Sequence, residues 1–142
     1  MLDVNTVGDA VIERLKKLNL FRSVGFLEGD YEAANHLIVP PAALLVYGGA
    51  RVVSDEDGTR SVQSVIEVTI VLLVIGRNLR GNREAGKDVR ALLEDVRQAV
   101  HGMKSGDIAL TWKSEFFSEI RDGLCIYEQE YRYTDYMMMA KR

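Results

Sequence analysis

The sequence predicts an α+β fold in which two main helices pack on a mostly antiparallel sheet. Three observations predict it. Apolar residues recur every three or four positions in two segments, 7–18 and 85–103. Segment 64–74 instead alternates at period two, with Ile66, Val68, Ile70, Leu72 and Val74 on one side. Asp57-Gly58 and Asp122-Gly123 are strong tight-turn signals, so the strands around them are expected to pair as hairpins.

With 142 residues, 47% of them apolar, the chain is long enough to bury a core, and one domain is expected over residues 1–142. The balance of 18 Lys+Arg against 21 Asp+Glu gives a net charge of −3, which argues against a dedicated DNA binder. A lone Cys125 and two histidines exclude a disulfide scaffold and a recognisable structural zinc motif. Residues 1–6 lack a basic region leading into an apolar stretch, so no signal peptide is expected. The most apolar run, 68–75, is far shorter than the roughly 18–20 residues of a membrane-spanning helix. A soluble protein without a membrane partner is expected.

In chain order, Asn5 and Thr6 are candidate N-caps of the first helix, with Asp9 in its first turn. Val7, Val11, Leu15 and Leu18 form its apolar stripe, and the helix is expected to run to about Leu20. Residues 24–27 suit a short strand, and 28–35 show no period and are expected to form a loop or a single turn. Pro40 and Pro41 forbid helix and lead into a strand over 42–47, which Gly48 and Gly49 are expected to end. Strand 51–54 and the Asp57-Gly58 turn follow, then the long return strand. The odd side of that strand starts polar with Glu67 and Thr69 and ends apolar with Val71, Leu73 and Ile75. Its second half is therefore expected to be covered on both faces, by another layer or another subunit.

Gly76, Gly81 and Gly86 punctuate a basic loop carrying Arg77, Arg80 and Arg83. The second helix follows, with Asn82 as its expected cap and Gly102 as its stop. Strands are expected at 108–113, 115–120 and 124–136. In the last, Cys125, Tyr127, Tyr131 and Tyr133 alternate with Glu128, Glu130, Arg132 and Thr134, one face buried and one wet. Met137, Met138 and Met139 make an apolar end that is docked or contacts a partner.

Little in this pattern points to chemistry. His36 and His101 stand at no metal-ligand or triad spacing, and Cys125 falls on an apolar face where a thiol acts as a small hydrophobe. Glu115 with Glu119, and Glu128 with Glu130, are spaced as carboxylate pairs but are expected on a solvated face. The arginine loop before a helix N-terminus suits phosphate in principle, yet its glycines match neither the P-loop nor the dinucleotide fingerprint, and a protein-contact loop is the favoured reading. No catalytic residue, cofactor or metal is expected.

The order of elements resembles a family. The helix over 6–18, the Pro40-Pro41-Ala42 lead into a strand, the 65–76 strand with its arginine loop, the 85–102 helix and the closing Tyr127 to Tyr133 strand look like Mu-like prophage proteins related to phage tail-terminator and tail-completion proteins. The resemblance covers nearly the whole chain. It implies a tail-terminator-like domain and a non-enzymatic subunit that caps or completes the tail tube. The implied assembly is a homo-oligomer, a hexameric ring, meeting the tube protein and other tail or connector proteins. Nucleic acid would be met only in passing through the ring. The implied location is the virion tail, with assembly in the host bacterial cytoplasm.

In such a family the projecting loops and subunit faces do the work. Here they are the hairpin 51–60, with Arg51, Asp55, Glu56, Asp57 and Arg60, and the loop with Arg77, Arg80 and Arg83. Unlike charges on the two, Asp55, Glu56 and Asp57 against the three arginines, are expected to set the register of head-to-tail contacts. Two rival readings are a small-molecule-binding or regulatory α+β domain, with a concave pocket lined by the tyrosines, and an enzyme of unrecognised type.

Overall fold

The strongest pattern in the sequence becomes the centre of the molecule. A computed structural model describes residues 3–27, 38–55, 63–77 and 83–138. Its elements are α1 (Val4–Lys17), β1 (Ser23–Phe26), β2 (Ala42–Asp55), β3 (Gln63–Arg77), α2 (Arg83–Val100), β4 (Lys104–Ser105), β5 (Ile108–Ala109), β6 (Thr111–Arg121) and β7 (Leu124–Met138). The main sheet has the order β1-β2-β3-β7-β6, with β1 parallel to β2 and every other pairing antiparallel. The fold is α+β, as the periodicities predict.

Both helices lie on the same face. The even residues of β3, from Ile66 to Val74, are all buried there against Val7, Val11 and Leu15 of α1 and Val89, Leu93, Val96 and Val100 of α2. Two glycines let the layers close up. A Cβ at Gly8 would collide with the Phe26 ring, and one at Gly76 with the Val89 side chain. The odd face of β3 is covered at one end only: Ile75 packs with Ala42, Leu44, Leu124 and Ile126, beneath Leu27 and Ile38. Among the described residues the cover expected for the second half of this face therefore reaches only Ile75, while Val71 and Leu73 stay half-buried beside an open hollow.

Several local expectations are corrected. The N-cap of α1 is Asp3, whose carboxylate accepts from the Asn5 N–H at 3.0 Å, not Asn5 or Thr6. With the cap there, Asp9 falls beyond the first turn, and the helix ends at Lys17 rather than Leu20. Gly48 and Gly49 do not end β2. They form a bulge, with Gly49 at φ 113°, and pairing with β3 resumes at Gly49↔Thr69. The two strands expected at 108–113 and 115–120 are instead the small β4–β5 hairpin and one continuous β6, which is bulged between Trp112 and Ser114 and between Phe117 and Glu119. A bulge restores pairing after an irregular step, whereas strict alternation reads the same step as a break.

Other expectations hold. Pro40-Pro41 leads into β2 at Ala42, through a cis peptide between the two prolines. Gly102, at φ 80°, lies just past the end of α2 at Val100, and Asp122-Gly123, both at positive φ, turn β6 into β7. The Asp57-Gly58 turn, Asn82, His36 and residues 28–35 lie outside the described residues.

Candidate assembly surfaces

Of the charged residues singled out from the sequence, the described ones divide between the strand ladder and the two ends of β3. Arg51, on β2, donates from Nε and Nη2 to Glu67 Oε1 at 3.3 and 3.2 Å. Glu67 also accepts from Arg132 Nη1 at 3.2 Å, and Arg132 Nη2 reaches Glu130 at 3.1 Å. Arg51 therefore belongs to an ion ladder across β2, β3 and β7. Asp55 ends β2 at the hairpin end, while Arg77 ends β3 and Arg83 starts α2 at the other. Glu56, Asp57, Arg60 and Arg80 lie outside the described residues. A 15-residue strand separates the two ends, roughly 45 Å at ~3.3 Å per residue.

The carboxylate pairs prove unlike one another. Glu115 is not on a solvated face: it accepts from Arg97 Nη1 at 2.7 Å and from Gln129 Nε2 at 3.0 Å, and so ties β6 to α2. Gln129 is wholly buried, donates also to the Leu93 carbonyl at 2.9 Å and accepts from the Tyr131 hydroxyl at 2.9 Å. The bulge after Phe117 rotates Glu119 onto the bare face, near Glu128. His101 Nδ1 accepts from the Trp112 N–H at 3.0 Å, a packing role. Burial pushes the Cys125 thiol up, which suits an inert side chain. Tyr131 and Tyr133 fill the core instead of lining a concavity. Among the described residues, no group of three or more His, Cys, Asp or Glu is placed to hold a metal, and no helix is long and apolar enough to cross a membrane.

Sequence reasoning missed the sheet edges. Phe116, Phe117 and Ile120 stand exposed on β6, an edge strand. Beside the opposite edge strand, β1, an open hollow of about 420 Å³ is lined by Phe21, Val24, Gly25 and Leu44, with Lys16 and Arg22. The only available signal was the run of large apolar residues at 116, 117 and 120, which fits no single period because of the bulge.

Among the described residues the molecule is a plate with both helices on one face and β1 and β6 at its edges. A family model described as phage tail terminator protein matches residues 1–141. The chain belongs to the phage tail terminator family. The fold is shared with a chain in the virion of a native gene transfer agent particle, at a TM-score of 0.53 and 13% identity, over 87% of this chain and 90% of that one. No curated protein matches the chain. Family membership makes this chain a structural protein of the virion tail.

Proposed function

We propose that this tail terminator is a single-domain subunit that forms a ring, a hexamer, capping or completing the tail tube, and that it works without catalysis. The observation that carries the reading is the one-sided plate, whose core is closed under two helices while its ends and edges carry charge and exposed apolar groups. Its partners are other copies of itself, the tail tube protein and neighbouring tail or connector proteins, met in the host bacterial cytoplasm during assembly. DNA is met only in passing through the ring.

The two charged ends serve as assembly surfaces. With β3 between them, the set Arg51, Asp55, Glu56, Asp57 and Arg60 mates with Arg77, Arg80 and Arg83 of another copy only when the copies are offset by the strand's length. Contacts along the tail axis use both sets without such an offset. Absolute mass by light scattering, over a concentration series with and without the tube protein, tests the ring. A closed assembly of six is expected; a monomer under every condition overturns the reading. Reversing Arg77, Arg80 and Arg83 to Glu is expected to block tail completion, as is reversing Asp55, Glu56 and Asp57 to Lys; rescue by both reversals together would show instead that the two sets mate with each other across offset copies. Normal completion by both single-set variants would remove the ends from the assembly.

A further inference from the structure

The two edges of the sheet differ: β6 carries exposed apolar side chains and β1 borders a hollow. We propose that the 116–120 stretch of β6 in one copy seats in the hollow beside β1 of the next copy, which makes this the lateral contact of the ring; the proposal rests on the ring reading above. On the projecting side, Phe116 and Ile120 are more than half exposed, at 54% and 57%; Phe116 pairs with Glu128 and shares the bare face, while Ile120 pairs with Cys125 and lies on the helix side, so this edge strand carries an exposed apolar group on each face. Exposed apolar side chains this close together on an unpaired edge favour a partner. On the receiving side, the hollow is bordered by Phe21, Val24 and Leu44 together with Lys16, Arg22 and Ser23, and a Cβ added at Gly25 meets nothing within 4 Å.

The charges match. Glu119 sits inside the projecting stretch, with Arg121 3.5 Å away, and Glu128 stands opposite Phe116 in register; the hollow carries Lys16 and Arg22. Arg121 offsets the Glu119 charge on its own edge, so the attraction to Lys16 and Arg22 of the other edge rests mainly on Glu128, and it favours a head-to-tail contact.

The heights match as well. Phe116 and Ile120 pair through Glu128 and Cys125 of β7 with Leu73 and Gly76 of β3. From the other edge, Ser23 and Phe26 pair through Ala42 and Leu45 of β2 with Ile75 and Leu72 of β3. Projection and hollow thus lie at the same level of the sheet. Neighbours joined at that level need no shift along the strands, which is the condition under which a heterologous contact can close into a ring instead of running on as a helix.

Two variants of the full chain test this. Phe116→Asp spoils the projection and leaves the hollow intact; Gly25→Trp fills the hollow and leaves the projection intact. Unchanged circular dichroism and a Tm near that of the parent confirm folding. Each variant alone is expected to lose self-association by about tenfold or more, read by sedimentation. Mixed together they are expected to form 1:1 dimers, since each keeps the half the other lacks. If the parent forms a ring and both variants form it equally well, the edge contact is wrong and the ring reading stands. Monomeric variants that stay monomeric on mixing also overturn the contact, because the two sites are then not each other's partners. A parent monomeric at every concentration and with the tube protein overturns both readings.

Discussion

The helix-covered face of the sheet and its bare face are built from the same strands but held by different forces. Under the helices, apolar side chains close around one buried polar cluster, in which Gln129 joins Leu93, Glu115 and Tyr131. On the bare face, the ladder of Arg51, Glu67, Arg132 and Glu130 lies across three strands with water on one side. Burial gives each missing polar partner a high cost, whereas solvent replaces much of what a surface ion pair supplies. The difference teaches where the fold is specified: by the covered face, with the bare face free to serve contacts.

Three substitutions break or sharpen this contrast. Gln129→Leu should have the largest effect, because it leaves the Leu93 carbonyl and the Tyr131 hydroxyl without their partner in the interior. A loss of roughly 1–3 kcal/mol is expected in urea unfolding. A neutral result would mean that water enters the cluster and that the covered face is not dry. Glu67→Gln should cost less, up to ~1 kcal/mol, and the cost should shrink in added salt. A salt-independent loss would show the ladder to be more enclosed than its position on the bare face implies.

Tyr133→Phe should have the smallest effect at neutral pH, since the buried Tyr133 hydroxyl has no hydrogen-bond partner among the described residues. Its value lies at alkaline pH. Burial, helped by Asp135, Tyr47 and Asp3, pushes this phenol up to about 12 from an ordinary value of 10.0. The folded state therefore holds the proton where the unfolded chain releases it. The contribution is whole below pH 10 and is lost as pH rises toward 12. Thermal melts of the parent between those limits should steepen downward with pH, and the Phe variant should fall less. Equal slopes would place the alkaline sensitivity elsewhere, with Tyr131, also raised mainly by burial, the next residue to change.

What was legible in the sequence was whatever repeats. The even residues of β3, the two helical stripes and the Asp122-Gly123 turn carry their geometry in their own spacing, and all three appear in the structure as expected. Irregular steps were not legible. Gly48-Gly49 bulges where a break was expected, because the pairing with β3 holds β2 on both sides of it. Glu115 was misplaced since its partners Arg97 and Gln129 come from other elements, which no local pattern reveals. Gln129, a polar residue on an otherwise apolar face, is buried for the same non-local reason. Of the candidate surfaces, charge was visible as composition along the chain, but the pairing of Arg51 with Glu67 and the level match of the two edges required the strand order.

That strand order also predicts how the molecule breathes. β3 has a neighbour on each side along nearly its whole length, so its amides exchange with solvent only when the sheet comes apart. β1, four residues long, and the outer side of β6 lack that double lock and exchange by local fraying. Deuterium uptake should therefore rise from the middle of the sheet outward, and a change in that gradient on assembly would register at the two edges while the centre kept its rate.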